Sequence, residues 1–148
     1  MRYFLVIVAS LFIVFVLDTQ LMSTSIAQQK KESWVAPKTA DDVKNPFKGN
    51  ESTLQDAKIL YVKSCLSCHG SEGAGDGSQS TTLNPKPANL KNKTVQEQTD
   101  GAIFWKISNG KGQMVSWKFT LSDKQRWYLV NYIRELGKKS KKEMPNGN

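Results

Sequence analysis

Cys65-Leu66-Ser67-Cys68-His69 is the stretch on which the reading of this chain turns. It holds both cysteines and the only histidine of the 148 residues. On a helical turn the two thiols stand about one turn apart, so both reach one edge of a flat macrocycle. The imidazole that follows then falls beneath its centre as an iron ligand. C-x-x-C-H is the attachment signature of c-type haem. Three rival chemistries fit less well. A structural zinc site needs four protein ligands, and this cluster supplies three. A thioredoxin-like pair wants a βαβ setting, whereas the flanks here read as a helix and a glycine-rich loop. A Cys65–Cys68 disulfide closes a very small loop and constrains the unfolded chain little.

Before the motif, the chain reads as a helix beginning near Ser52. Ser52 and Gln55 have capping-box spacing, and Leu54, Ala57, Tyr61 and Cys65 recur on one face. After the motif, residues 70–90 carry Gly75, Gly77, Pro85 and Pro87 and form no regular element. So long a loop in a small domain is expected only where it wraps something. A short helix fits Thr99 or Asp100 to Ser108, stopped by Gly110. The last helix opens on a second capping box, Ser122 with Gln125. It carries Leu129, Tyr132, Ile133 and Leu136 on one stripe and is expected to end at Gly137. No strand pattern competes. Three helices of this size bury little apolar surface against one another, so the fold needs an internal staple.

The second axial ligand follows by elimination. There is no second histidine. Met1 and Met22 lie in the stretch read below as a cleaved signal and Met144 in the polar tail, which leaves Met114 in the loop Gly110-Lys-Gly-Gln-Met114. Most methionines are core gap-fillers, but this one stands in a glycine loop rather than on a helix stripe. His69 and Met114 are thus the expected iron ligands, and His/Met ligation raises the reduction potential.

The N-terminus reads as an address. Met1-Arg2 precedes an apolar run from Tyr3 to Leu17, and Ser25-Ile26-Ala27 offers small residues to a signal peptidase. As a helix the run is about 22 Å long, short of the roughly 30 Å hydrocarbon core, which favours a cleaved signal over a membrane anchor. The expected divisions are a signal peptide over 1–27, a polar leader over 28–51, a haem domain over 52–137 and a basic flexible tail over 138–148. In the leader, Trp34 and Phe47 are the residues expected to be pinned to a surface. The formal charge of +8 is unchanged by removing Arg2 and Asp18, and it favours acidic partners. No nucleic-acid-binding motif accompanies it.

These residues together resemble the monohaem class I cytochromes c of bacteria, over about Leu54 to Leu136. Asp56 to Cys65 resembles the family's first helix, with Tyr61 at its aromatic position and Ala57 where many members have glycine. Trp127 to Leu136 resembles the last helix, and Thr99 to Ile107 the middle one. The resemblance implies an all-α fold wrapped around one covalent haem c, with Leu129 and Tyr132 packed on Ala57 and Tyr61. It also implies that a proline carbonyl in Asn84-Pro-Lys-Pro-Ala-Asn-Leu90, at Pro87 or alternatively Pro85, accepts the ring proton of His69. Leu90 then lines the pocket. Val115 follows Met114 where many members have proline.

The function implied is that of an electron carrier rather than an enzyme, exported to the bacterial periplasm and passing single electrons between redox proteins. Lys86, Lys91, Lys93, Lys106, Lys111 and Lys118 fall in segments around the pocket and would meet acidic patches on a reductase and an oxidase. Two alternatives stand beside it. One is a membrane-tethered cytochrome subunit of a larger oxidoreductase. The other is a haem enzyme or gas sensor with an open sixth position, which would lack a second histidine for acid–base work.

Overall fold

The computed structural model describes residues 34–143. The signal segment expected over 1–27 lies outside the described residues, as does Met144. Among the described residues there are five helices and no strands, the all-α arrangement expected. They are α1 (Leu54–Ser64), α2 (Leu66–His69), α3 (Lys93–Gln96), α4 (Asp100–Asn109) and α5 (Asp123–Glu143), with 3-10 turns at Lys38–Ala40, Glu51–Thr53 and Ser80–Thr82. No described helix is long and apolar enough to cross a membrane.

The core forms where α1 crosses α5. Ala57 and Val130 are fully buried there, and Tyr61, Leu129 and Leu136 are nearly so. The ring centroids of Tyr61 and Tyr132 lie 5.0 Å apart. The packing expected of Ala57, Tyr61, Leu129 and Tyr132 is therefore present in one cluster. A second contact pins α4 to α5, where Phe104 stacks on Trp127 with centroids 4.0 Å apart. Arg126 is buried beside it, donating to Ser108 Oγ and Asp123 and lying 4.8 Å over the Phe104 ring.

The caps follow sequence chemistry with two corrections. Thr99 Oγ1 accepts from Ala102 N–H at 3.0 Å, and Asp100 favours the positive end of α4. Both arms of the second capping box form: Ser122 N–H donates to Gln125 Oε1 at 2.9 Å, and Gln125 N–H to Ser122 Oγ at 3.3 Å. The first box does not form. Asn50 Oδ1 takes the Ser52 N–H at 3.1 Å and caps a 3-10 turn that leads into α1, because an Asn two residues earlier reaches the same orphan donor. The second correction concerns Gly137, which does not end α5. The helix continues to Glu143, and Gly137 is buried where the side chain of Gln96 crosses it, 2.4 Å from where a Cβ would stand. Gln96 there donates to the carbonyls of Leu90 and Ile133 at 2.7 and 3.0 Å. The glycine serves a close approach, not a stop.

Residues 34–51 are bound along the helices. Asn45 donates to Asp100 at 3.1 Å and to Asn131 at 2.8 Å, and Asn131 donates to the Phe47 carbonyl at 2.7 Å. Phe47 meets Tyr128 edge-on at 5.2 Å. Asp41 accepts from Thr99 Oγ1 at 2.6 Å. Arg134 ties α5 to the α3–α4 junction, donating from Nε to Asp100 at 2.8 Å and from Nη1 to the Gln96 carbonyl at 2.7 Å. Gly101 is the point of closest approach, since a Cβ there would stand 1.9 Å from the Ala40 carbonyl oxygen. Gly101→Ala is accordingly expected to push this segment off α4 and to cost on the order of 1–3 kcal/mol. Urea unfolding checks it, and a midpoint equal to that of the unaltered chain would show that the segment yields freely.

Candidate functional site

The C-x-x-C-H stretch is itself α2. The chain breaks from α1 at Cys65, whose φ of −123° leaves the helical region, and Cys65 N–H still donates to the Tyr61 carbonyl at 2.8 Å. One turn later His69 N–H reaches the Cys65 carbonyl at 2.8 Å, and Gly70 ends the turn at φ +80°. So short a helix leaves its carbonyls without partners. The glycine loop supplies them. Gln79, Gly77 and Gly75 N–H groups donate to the carbonyls of Ser67, Cys68 and His69 at 2.8, 3.1 and 2.8 Å. A Cβ at Gly77 would fall 2.4 Å from the Ser67 carbonyl oxygen, so only glycine lets the loop lie this close. The Tyr61 hydroxyl donates to the Gly70 carbonyl at 2.7 Å, which fixes the whole turn to the α1–α5 core.

His69 Nδ1 pairs with the carbonyl of Ala88 at 3.0 Å. The acceptor expected at Pro87, or at Pro85, is thus corrected by one residue. The Pro87 carbonyl is turned instead toward Gly75, whose Cβ would lie 2.4 Å from it. Since a carbonyl can only accept, Nδ1 carries the proton and Nε2 keeps its lone pair. Burial lowers the His69 pKa and the Ala88 bond opposes that only in part, so the neutral, ligating form is favoured.

Met114 sits at the turn of a small loop closed by mutual backbone bonds with Lys111, at 3.0 and 3.1 Å. Gly110, at φ +65°, permits the fold-back: a Cβ there would lie 2.3 Å from the Met114 carbonyl oxygen. Trp117 and Lys118 N–H groups donate to the Ile107 and Ser108 carbonyls at the end of α4, both at 3.2 Å, and Ser116 Oγ adds a 2.6 Å bond to Ser108. This anchoring stands where a proline after the methionine would have stiffened the loop. The side-chain amide of Gln113 accepts from Asn84 N–H at 3.1 Å, joining the Met114 loop to the loop that holds His69.

These elements enclose one cavity of about 270 Å³. That is far above the ~30 Å³ share of a single water, so it is no packing flaw. Cys65, His69, Leu90 and Met114 all line it, together with Ile103 and Leu129 of the core. Cys68 and Pro87 are not in its wall. The Cys68 thiol lies 3.7 Å from Gln79 Oε1. Two wall residues carry no local signal for this role: Trp34, expected only to be pinned to a surface, and Lys106, expected in a ring of docking lysines. In the structure Lys106 lines the cavity, 5.4 Å from the centroid of the Trp34 ring.

The donor set fits a covalently held macrocycle better than its rivals. Among the described residues, no group of three or more His, Cys, Asp or Glu side chains converges on a point where a bare metal ion would bind. The thiols are not joined to each other. Burial, reinforced by the neighbouring Cys68, pushes the Cys65 thiol up to about 12, whereas redox-active cysteines need a lowered value.

Residues 52–133, more than half of the chain, match the family described as "Cytochrome C oxidase, cbb3-type, subunit III". The chain belongs to this family. It is a c-type cytochrome domain of class I type, and membership implies haem c binding and electron transfer. Among solved structures the chain is similar to a component of the "Kuenenia stuttgartiensis reducing HAO-like protein complex Kustc0457/Kustc0458". The identity is 27%, with a TM-score of 0.56 over 64% of this chain. The match spans about half of that protein's length, 49%. A comparison with curated proteins gives no match.

In this cytochrome domain, Gly75 holds the acceptor loop over His69. Gly75→Ala adds a methyl against the Pro87 carbonyl at a backbone φ of +80°. The expected result is a loss of about 1–3 kcal/mol of stability and faster exchange of the His69 ring N–H, read by NMR of the reduced protein. Unchanged exchange would mean that the Ala88 carbonyl does not hold the ring.

Proposed function

We propose that this protein is an exported monohaem cytochrome c that carries single electrons between redox proteins. The observation that carries the reading is the convergence of Cys65, His69 and Met114, far apart in chemistry and partly in sequence, on one apolar cavity. Cys65 and Cys68 would form the two thioethers, His69 would bind the iron through Nε2, and Met114 would supply its sulfur from the other loop. Bound in this way, haem supplies an iron that gains and loses one electron, with a potential raised by the histidine–methionine pair and by burial. The chain's own residues hold the ligand atoms fixed. The Ala88 carbonyl orients His69, and the Gly110 turn with its bonds to the end of α4 positions Met114. A carrier of this kind needs ligands that do not exchange, and both ligand loops are anchored by backbone bonds.

The signal-like segment over residues 1–27 supports export to the periplasm. The surface beside Met114 supports a protein partner. Val115 and Phe119, one and five residues after Met114, are exposed, Phe119 by 88%, and Lys111 and Lys118 of the same stretch are exposed too, Lys118 lying 5.9 Å from the Phe119 ring centroid. Exposed apolar side chains accompanied by lysines suit an acidic redox partner, with the charges acting mainly on the encounter rate. Lys106, turned toward the cavity, leaves this set, and Lys93 pairs with Glu97 at 3.5 Å.

A second reading, a subunit fixed in a larger oxidoreductase, is favoured by one observation. The matching family is described as an oxidase subunit, and the similar solved structure is that of a protein complex. The chemistry of the chain is the same in both readings. An open-site enzyme or gas sensor is disfavoured by Met114 in the cavity wall.

Two measurements test this. Visible spectra of the purified protein are expected to show covalent low-spin haem with a methionine-to-iron charge-transfer band. In Met114→Ala that band should vanish, the potential should fall and carbon monoxide should bind. Retention of the band would remove Met114 as ligand, and protein free of haem would end the reading altogether. Separately, the second-order rate of electron exchange with an acidic redox protein should fall steeply as salt rises from about 0.01 to 0.3 M. A flat response would assign the lysines to solvation alone.

A further inference from the structure

The cavity wall is mostly apolar, and one of the residues that line it comes from outside the residues that match the family. Trp34 precedes residue 52, where the match begins, yet it lines the cavity together with Cys65, His69 and Met114. It does not stand there alone. Lys106 of α4 and Gln98 of the α3–α4 connection line the same cavity, and the Lys106 ammonium donates to Gln98 Oε1 while lying 5.4 Å from the Trp34 ring centroid. Among the described residues no carboxylate pairs with Lys106, and it is the only formally charged side chain in the wall. Partial burial lowers its pKa. A half-buried ammonium at the edge of an apolar cavity, held by an amide oxygen and lying against a ring face, is placed to take an anion.

The segment that delivers Trp34 is held, not draped. Ala40 is buried against Gly101, Asp41 accepts from Thr99, Asn45 bonds Asp100 and Asn131, and Phe47 meets Tyr128. Several of these ties fall on the first turn of α4, the same helix that carries Lys106. The segment and the cation are therefore registered to each other through one element.

A haem attached by its vinyl edge presents two carboxylates at the opposite edge. We propose that Trp34 is a cofactor-contacting residue contributed by the N-terminal extension. Its indole closes the Lys106 corner of the cavity over the haem, excluding water there and holding Lys106 as the cation that faces the haem carboxylates. This rests on the haem reading above. The chain's extension is on this view part of the cofactor site, with a direct effect on the iron. Excluding water from the haem edge, and keeping a cation near it, both disfavour the more positive oxidised state and raise the midpoint potential.

The test uses the full-length protein with haem bound. In the reduced, diamagnetic form, NMR is expected to show cross-peaks between an indole ring and the haem, and Trp34→Phe should remove those of the indole and so assign them to Trp34 rather than to Trp105, Trp117 or Trp127. Trp34→Ala is expected to lower the midpoint potential, with Trp34→Phe restoring most of the difference. Lys106→Met should lower it too, and Lys106→Arg should restore it. Haem content and the methionine charge-transfer band are recorded for each variant. If haem is absent from the unaltered protein, the haem reading itself has failed. If haem and band are intact but no Trp34–haem cross-peak exists, the extension is not part of the site. If the cross-peak exists and the potentials of Trp34→Ala and Lys106→Met do not move, the sealing and charge roles are overturned. The assignment rests on the conservative Trp34→Phe, which keeps a ring in place, so a Trp34→Ala or Lys106→Met chain that fails to fold leaves the question answerable.

Discussion

Everything in this fold is referred to the crossing of α1 on α5. Ala57 and Val130 leave no accessible surface at that point, and large side chains, Tyr61, Leu129 and Leu136, complete it. Burying one large aliphatic side chain contributes about 1.5–3 kcal/mol, and among the described residues the largest fully buried side chains all belong to this cluster. The crossing also fixes geometry. Tyr61 sits at the last full turn of α1, stacks obliquely on Tyr132 and spends its hydroxyl on the Gly70 carbonyl. Burial raises the pKa of that phenol, so it remains a donor. Through one hydrogen bond the helix crossing thus sets the far end of the Cys65–His69 turn.

From that turn the rest follows as a problem of unpaired backbone. A four-residue helix pairs few of its own backbone groups, and the carbonyls of Ser67, Cys68 and His69 are satisfied by amides of a loop that can come close only because it is glycine-rich. The same loop then passes back to Leu90, whose N–H donates to the Gly73 carbonyl at 2.7 Å, and on its way presents the Ala88 carbonyl to His69. Backbone accounting and ligand orientation are here the same set of contacts. This is why a long irregular segment is well determined in so small a domain.

Which parts are legible in the sequence follows from range. The motif, a helix from Thr99 or Asp100 to Ser108 stopped at Gly110, and the Ser122/Gln125 box rest on signals within a few residues, whereas Met114 is singled out by elimination among the four methionines. The departures are of another kind. Gly137 looks like a stop to any local rule, yet it is the floor on which Gln96, some forty residues earlier, crosses α5. Ser52 has the right spacing for a cap, but Asn50 competes for the same amide and wins. A proline is expected to give its carbonyl to His69, and the adjacent Ala88 does so because Gly75 occupies the space before Pro87. The four-residue α3 carries too few residues for periodicity to register. The leader reads as polar and unpatterned because its ties are side-chain bonds to residues 55 to 86 positions away.

The extension shows how such a domain is assembled. A segment without periodicity is held by one buried alanine, one aromatic contact and a few polar bonds, none of which is individually strong. Their placement matters more than their sum. Thr99, Asp100 and Gly101 are consecutive at the start of α4, and each meets a different residue of the extension: Asp41, Asn45 and Ala40. The N-terminus of α4 is therefore a docking edge. It offers the hydroxyl of a cap residue already engaged with Ala102, the carboxylate that also binds Arg134, and a backbone with no side chain. Because the cap, the Arg134 clamp and the extension share these three residues, disturbing one is transmitted to the others. α4 ends at Gly110, where the Met114 loop is tied back to Ile107 and Ser108. One ten-residue helix thus holds the extension at its first turn and the Met114 loop at its last.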